Sequence, residues 1–314
     1  MRLVVSVDVE EEGLFSGQYP RQAAGVRNVA RLSRLAFISQ EFGVPLTLLA
    51  TYPVAVHPEA AAVLREFREQ HGAEIGAHLH PWNTPPFLEL GEPEPAPPER
   101  LPLEVLRDKI TSLAAAIHAA VGERPRSFRM GRFELGPKAL SLLPELGFVA
   151  DGSMAPLRAV AGGPDHFLSP ADPFILRPQG EAGPALVEAP LTVVPLLAGT
   201  PRLWAGLCSL LPPAWGERLR GGFRFAAAVG TQPTMFSLTA MRLAARLHRR
   251  RGGRVIHLFL HSSELLPGAS PQFPTEQAVE GLIGKIRSFL AWLRKTSPCR
   301  GVTLSALARE MLEG

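Results

Sequence analysis

The sequence predicts an α/β fold with a parallel sheet and helices packed outside it. Apolar, β-branched runs alternate roughly seven times with amphipathic patterns of helical spacing, the order typical of such folds. Ionisable residues follow nearly every predicted strand, although buried strands do not need them for stability. The first strand is not followed by a G-x-G-x-x-G turn, which argues against a dinucleotide-binding fold. Both a barrel and an open doubly wound sheet fit this alternation.

The composition is that of a globular enzyme. The chain has 314 residues, of which 46% are hydrophobic and 20% charged, and we expect one catalytic domain spanning residues 1–314. The net charge is +4, and the densest basic cluster, 248–251, has the pattern of a helix C-terminus, so we expect no nucleic-acid partner. Two distant cysteines, no apolar run of about 18 residues and no signal-peptide pattern predict a cytoplasmic protein without a membrane span.

The first half of the chain contains five predicted strands, each a mainly apolar run bounded by turn residues. They cover residues 3–9, 45–50, 73–78, 127–131 and 148–151. Helical patterns lie between them, at 23–42, 58–71, 103–121 and 137–146. The proline-rich stretch 81–102 is expected to be a functional or mobile loop, because loops of that length are uncommon in compact domains.

The alternation is interrupted at residues 152–234, which are rich in proline and glycine. We expect an irregular insertion here, with a strand-like run at 186–197 and short helices around 204–219 that cover one mouth of the fold. The alternation then resumes to the end of the chain. Its elements are a helix at 235–250, an apolar strand at 254–261, a helix at 275–294, and a short strand and helix at 302–303 and 304–311.

The first strand ends in an acidic turn, with carboxylates at position 8 and positions 10–12. In an extended segment Asp8 and Glu10 share one face, while Val7 and Val9 point to the other. Two adjacent carboxylates repel each other unless a proton or a cation lies between them. A solvated turn that begins the next helix is an equally good interpretation of this stretch by itself.

The ends of the other predicted strands carry histidines and arginines, and the carboxyl ends of parallel strands meet at one rim. His78 and His80 share a face, and two histidines with one carboxylate form a usual catalytic zinc ligand set, so this pair and the carboxylates of the first strand are a candidate metal site. A structural histidine pair is the alternative. Arg129 is a candidate to orient a carboxylate, and a simple salt bridge is its alternative. His261 ends its strand and is a candidate proton donor, whereas His257 lies deeper and is interpreted as structural.

Five short motifs, in order and spacing, resemble those of the polysaccharide deacetylases with a NodB-type domain, the carbohydrate esterase 4-like family. They are Ser6-Val7-Asp8-Val9-Glu10, Glu74-Ile75-Gly76-Ala77-His78, Arg129-Met130-Gly131-Arg132-Phe133, Asp151-Gly152-Ser153 and Leu258-Phe259-Leu260-His261-Ser262. The sequences of residues 79–82 and 261–265 are most similar to those of the WalW-like branch. The resemblance implies a distorted (β/α)7 barrel and metal-dependent removal of N- or O-linked acetyl groups from a carbohydrate, with Zn²⁺ as the expected metal.

The resemblance also implies roles for individual residues. Asp8 would be the general base and His78 a metal ligand. Arg129 would position Asp8, and Asp151 would hold the imidazole of His261, the general acid. The substrate-binding candidates near these positions are Trp82, Arg132 and Phe133, with Trp204 as a further aromatic surface for a sugar.

The chain departs from the family pattern at two positions. The family has adjacent aspartates in its first motif, whereas Val9 follows Asp8 here, so Glu10 would be the metal carboxylate. The family's second motif is His-x-x-x-His, but Trp82 stands at its last position, so His80 is the expected second histidine ligand, and a site that lacks one ligand is the alternative.

Two other functions remain open at this point. One is a hydrolase of another non-peptide C–N bond in a small amide, and the other is a carbohydrate-binding relative without catalysis. A glycosidase that uses Asp8 and Asp151 would leave the histidines unexplained.

Overall fold

The sheet is built around its first strand, and seven of the eight residues of that strand are buried. The computed structural model describes residues 1–22, 24–88, 95–159, 163–180 and 183–313. In chain order the strands are β1 (Arg2–Val9), β2 (Leu46–Ala50), β3 (Glu74–Leu79), β4 (Ser127–Met130), β5 (Ala150–Asp151), β6 (Phe174–Leu176), β7 (Leu186–Glu188), β8 (Val193–Pro195), β9 (Ala228–Gly230), β10 (Val255–His261) and β11 (Arg300–Gly301).

In the described residues, ten α-helices surround these strands. They are α1 (Ala36–Phe42), α2 (Tyr52–Val56), α3 (Pro58–His71), α4 (Leu103–Val121), α5 (Pro137–Glu145), α6 (Thr200–Ser209), α7 (Pro213–Ala227), α8 (Leu238–Arg250), α9 (Glu276–Thr296) and α10 (Leu304–Glu313). Short 3₁₀ helices lie at Leu14–Ser16, Arg27–Leu35, Pro98–Arg100, Gly131–Phe133 and Ser262–Leu265. In the part of the chain that the structure describes, no helix combines the length and hydropathy needed to cross a membrane.

The main sheet is a curled parallel half-barrel. Its parallel neighbours run in the order β10, β1, β2, β3, β4, β5 and β7, and β6 adds an antiparallel edge beside β7. β8 and β9 form a separate antiparallel pair. The distorted (β/α)7 barrel predicted from the motifs is therefore confirmed, and the open doubly wound sheet is not what forms.

The gap between β7 and β10 is bridged by hydrogen bonds to His257. The His257 amide donates to Thr192 Oγ1 (2.8 Å), and its Nδ1–H donates to the Ala189 carbonyl (2.9 Å). Thr231 Oγ1 donates to the His257 carbonyl (2.7 Å). Burial and the nearby Arg129 lower the pKa of His257 to about 3, so its ring is neutral and serves the structural role expected from the sequence.

The two faces of β1 pack against different cores. Val5, Val7 and Val9 join the large outer core between the sheet and the helices, as alternation in a strand requires. Val4 points the other way and packs with Leu304 of α10 in a smaller interior cluster. Ser6 and Asp8 share the face of Val4, and this places the first carboxylate inside the barrel.

Two predicted elements differ from the structure in their local geometry. The helix expected at 23–42 is the 3₁₀ helix Arg27–Leu35 followed by α1. Residue 23, the first of the expected range, lies outside the described residues. The strand expected at 186–197 is divided into β7 and β8 around Pro190, which has no amide hydrogen to donate to a ladder. The expected loop 81–102 is described only in part, because residues 89–94 lie outside the described ranges.

Candidate active site

Four strands bring polar side chains to one end of the barrel. In the register of β1 and β10, Asp8 lies beside His261, and in that of β3 and β4, His78 lies beside Arg129. Because these strands are parallel, their carboxyl ends form one rim. The structure therefore brings together the ionisable residues that the sequence placed at the ends of β1, β3, β4 and β10.

Glu10, His78 and His80 form a buried cluster with the donor atoms of a metal site. The two histidine Nε2 atoms are 3.0 Å apart, and Glu10 Oε2 lies 3.7 Å from each of them. Ligands of a tetrahedral ion with bonds of about 2.0–2.2 Å are separated by roughly 3.3–3.5 Å. The observed separations lie within about 0.4 Å of these values, so the three donors could hold a zinc-type ion.

The other ring nitrogens of both histidines have their own partners. His78 Nδ1–H donates to the Arg129 carbonyl (3.2 Å), and His80 Nδ1 lies 3.1 Å from Glu11 Oε1. Because a carbonyl oxygen only accepts, the Nδ1 of His78 holds the proton and its Nε2 is the free acceptor. Backbone carbonyls and carboxylates are the usual outer partners of metal-binding histidines. This arrangement supports the fit of the cluster to a metal.

Glu11 is a site residue that the sequence reasoning did not single out. Besides His80, its carboxylate accepts hydrogen bonds from Asn83 Nδ2 (2.5 Å) and Thr51 Oγ1 (2.9 Å). Burial by itself would raise the pKa of Glu11, but His80 and the hydrogen bond from Thr51 lower it. Its place in the acidic turn, directly after Glu10, was the available signal. Its function is to fix the orientation of the His80 ring.

Asp8 lies beside the cluster and is paired with a fully buried arginine. Arg129 Nη1 donates to Asp8 Oδ1 (2.5 Å), while Asp8 Oδ2 is 3.6 Å from His78 Nε2. The rest of the guanidinium donates to Ser6 Oγ (2.8 Å) and to the Gly152 carbonyl (2.8 Å). Burial would raise the pKa of Asp8, but Arg129 and the neighbouring histidines lower it, so this carboxylate is ionised.

His261 lies at the mouth of the site and is paired with Glu264. Its Nδ1 is 2.9 Å from Glu264 Oε1, and its side chain is 22% exposed. Burial would lower the pKa of His261, but Glu10 and Glu264 raise it to about 9. The imidazole is therefore protonated at neutral pH, the form that a proton donor needs. The partner implied by the family resemblance was Asp151, whereas the carboxylate that lies beside His261 in the structure is that of Glu264.

Asp151 lies on the opposite face of the sheet from Arg129. Asp151 is in register with Phe128, and the Phe128 ring packs in the outer core. Because side chains alternate along a strand, Arg129 points to the other face, into the barrel. Its carboxylate accepts from the Ser153 amide (2.8 Å) and from Ser153 Oγ (2.7 Å). The neighbouring Glu188 has its pKa raised by burial and by Asp151.

Trp82 packs on the cluster of Glu10, His78 and His80 instead of facing solvent. Its indole stacks on the His80 ring at 4.3 Å between centroids, and Tyr19 covers it edge-on at 5.0 Å. Only 2% of Trp82 is exposed, so the expected sugar-stacking face is covered. Gly131 lies against another side of the His80 ring. No larger residue fits at position 131, because its Cβ would lie 2.5 Å from the ring. The His80 ring is therefore held by close packing.

Arg132 and Phe133 form a strained turn beside the site. Both have positive φ values, 58° and 57°, which are unusual for residues with large side chains. Arg132 is 39% exposed in its side chain and pairs with Glu134 (3.3 Å). Phe133 is half-buried and lies under the Arg129 guanidinium (5.6 Å). Trp204, the further aromatic candidate, is instead in α6, where it packs on Phe223.

The charges of the buried site call for a cation. Four buried carboxylates, those of Asp8, Glu10, Glu11 and Glu264, are accompanied by one buried guanidinium, that of Arg129. With all histidines neutral this cluster has an excess of three negative charges, which is costly in a site removed from water. One protonated histidine and one divalent ion would balance it.

Comparison with solved structures identifies proteins that share this fold. A protein assigned to the polysaccharide deacetylases, from Pseudomonas aeruginosa PAO1, has a TM-score of 0.60 and 15% identity, covering 99% of this chain and 91% of its own. Another such protein, from Mycobacterium smegmatis, has a TM-score of 0.56 and 18% identity, with coverages of 99% and 91%. An allantoinase has a TM-score of 0.58 and 15% identity, with coverages of 99% and 90%. No family model and no curated protein matches the sequence.

These similarities concern the fold. The chain has the fold of the polysaccharide deacetylases, which is what the five sequence motifs predicted. The assignment to a WalW-like branch is not tested by them and stays a prediction.

Proposed function

We propose that this protein is a metal-dependent hydrolase that removes acetyl groups, N- or O-linked, from a carbohydrate. The observation that supports this most strongly is the cluster of Glu10, His78 and His80 beside the Asp8–Arg129 pair. The cluster lies at the rim where barrels of this kind hold their catalytic groups. Zn²⁺ is the proposed ion, because two imidazoles and one carboxylate are a usual catalytic zinc set.

When bound, the metal supplies Lewis acidity, which polarises an acetyl carbonyl and lowers the pKa of a water molecule toward about 7. Asp8 is the proposed general base. Its Oδ1 accepts from Arg129, which leaves Oδ2 on the side of the cluster to accept a proton. Arg129 keeps Asp8 ionised and prevents its rotation, since the guanidinium itself is held by Ser6 and Gly152.

His261 is the proposed general acid. Its Nδ1 is held by Glu264, so Nε2 is left to give a proton to the leaving nitrogen or oxygen. Glu264 is itself fixed by Thr234 Oγ1, which donates to Oε2 (2.7 Å). We propose that Glu264 takes the positioning role that the family resemblance gave to Asp151, and that Asp151 stabilises the turn at the end of β5.

The substrate proposed for this site is an acetylated carbohydrate. Arg132 and Phe133 are the candidates for its binding, because they lie at the rim and Arg132 is partly exposed. The two cysteines, Cys208 and Cys299, are free thiols, which supports a reducing compartment and hence a cytoplasmic location. A single catalytic domain over residues 1–314 is part of the same proposal.

Acetate release is the direct test of this function. The metal-stripped protein should release no acetate from N-acetylated or O-acetylated oligosaccharides, and about one equivalent of Zn²⁺ should restore release. A His78→Ala variant should show no restoration. Equal acetate release by the metal-stripped and the metal-loaded protein would contradict metal dependence.

A hydrolase of another C–N bond in a small, non-peptide amide is the second candidate function. The observation that favours it is structural, because an allantoinase shares this fold at a TM-score similar to those of the two deacetylases. Metal-dependent turnover of small cyclic or linear amides, with no acetate from any acetylated sugar, would select this candidate. Glycan binding without turnover and without bound metal would select the non-catalytic relative.

A further inference from the structure

The hairpin formed by α6 and α7 presents a large apolar surface to solvent. The exposed apolar residues of α6, of the turn that follows it and of the start of α7 are Leu203 (71%), Leu207 (60%), Leu210 (82%), Leu211 (42%) and Trp215 (61%), and we call them together the hairpin tip. Leu203 and Leu207 of α6 and Leu210, the residue that caps it, are spaced by four and three residues and so form one exposed stripe. Apolar residues grouped in this way on an exposed surface usually mark an interaction site.

The two helices hold this surface in a fixed shape. Gly216 of α7 lies against the Cys208 carbonyl of α6, where an added Cβ would be only 2.5 Å from the oxygen. At the base of the hairpin, Trp204 and Phe223 pack into a core cluster that also contains Phe259. The apolar residues that are needed for packing are thus buried, and those at the tip are additional to them.

The hairpin tip has few side chains that can form hydrogen bonds or ion pairs with a partner. Residues 203–215 contain no charged side chain and one hydroxyl, Ser209. Interfaces between proteins have about one hydrogen bond per 100–200 Å², and the tip offers few groups that could form them. A lipid bilayer needs no such groups, and leucine with tryptophan is the composition of segments that insert at its surface.

Positive charge borders the tip on both helices. Arg202 precedes the exposed stripe and Arg218 follows Trp215, and both side chains are exposed. The single acid in the hairpin is Glu217, since residues 196–216 contain no Asp or Glu. This pattern complements an anionic surface. A second copy of the chain would instead bring the arginines of two tips together.

We propose that the α6–α7 hairpin docks on an anionic lipid bilayer, with the hairpin tip in the headgroup region and Arg202 and Arg218 at the phosphates. The cluster at the base of the hairpin includes Phe133 and Phe259, whose rings flank Arg129. The hairpin therefore connects the proposed bilayer contact at its tip with the candidate active site at its base. This inference does not depend on the reaction that the site catalyses.

Vesicle flotation of the full chain tests this proposal. The wild-type protein should float with vesicles of equal parts phosphatidylcholine and phosphatidylglycerol, and more weakly with phosphatidylcholine alone. A Leu207→Glu/Leu210→Glu double variant should lose about tenfold or more in partitioning. Because both side chains are exposed, the variant should keep the wild-type circular dichroism spectrum. Arg202→Glu/Arg218→Glu should lose binding mainly to the anionic vesicles.

The control is Val56→Glu, which places one such charge on another exposed apolar residue (53%) and should float like the wild type. Absence of wild-type flotation would overturn the proposal, as would equal flotation of the double variant and the control. A dimer in solution that dissociates in the double variant, without any vesicle binding, would also overturn it and assign the tip to a second copy.

Discussion

Asp8→Asn is expected to lower kcat/KM for acetate release by about 10²–10⁴-fold, the range typical of the loss of a general base. Asparagine has nearly the shape of aspartate but cannot accept the proton. Metal binding should be retained, because the proposed ligands are Glu10, His78 and His80. The measurement is steady-state kinetics on the metal-loaded protein, with the metal content of each preparation determined alongside.

Asp151→Asn is the matched comparison, because both residues are buried aspartates at strand ends. We expect a much smaller loss of kcat/KM, since Asp151 is bonded to Ser153 and lies on the face away from Arg129. Losses of equal size in the two variants would show that Asp151 acts in catalysis, as in the family pattern. Full activity of Asp8→Asn would remove Asp8 from the mechanism.

Arg129→Met is expected to lower the free energy of unfolding by about 3–5 kcal/mol, the cost of breaking a buried ion pair from one side. The substitution leaves the Asp8 carboxylate buried and without its guanidinium partner, and it removes the donors to Ser6 and Gly152. Denaturant unfolding followed by circular dichroism measures this change. The control is Arg107→Met, which breaks the more exposed pair with Glu145 and should cost no more than about 1 kcal/mol.

The double variant Asp8→Asn/Arg129→Met separates the ion pair from packing. If the unpaired carboxylate causes most of the loss, removing it as well should recover part of the stability, so the two effects should not add. Strictly additive losses would mean that Arg129 stabilises the barrel by filling space and bonding to Gly152, independently of Asp8.

The sequence predicted the rim of the site because strand periodicity and strand order are local properties. Asp8, His78 and Arg129 were placed at the ends of three strands, and the parallel registers bring these strand ends to one rim. Alternation along the first strand also predicted that Asp8 and Glu10 share a face, and both lie within reach of His78. These inferences required only the period of the strand and the direction of the sheet.

The partners of the site residues required the three-dimensional structure. The face of the sheet to which the Asp151 side chain points depends on the pairing of Asp151 with Phe128. No local sequence pattern determines this pairing. Glu264 reaches His261 because a 3₁₀ turn begins directly after β10 and brings the side chain back. Glu11 reaches His80 because the chain turns after Val9, and Trp82 stacks on the same ring because the chain turns after β3. Turn geometry of this kind is weakly encoded in sequence.

Metal stoichiometry tests the central claim most directly. Isothermal titration of the chelator-treated protein with Zn²⁺ should show one equivalent bound per chain. Affinity should fall about 10²-fold or more in His78→Ala and in His80→Ala, because each removes one of three protein ligands. The control His118→Ala changes an exposed histidine of α4 and should bind like the wild type. A wild-type protein that binds no divalent metal, or binds it equally well without His78, would contradict the account.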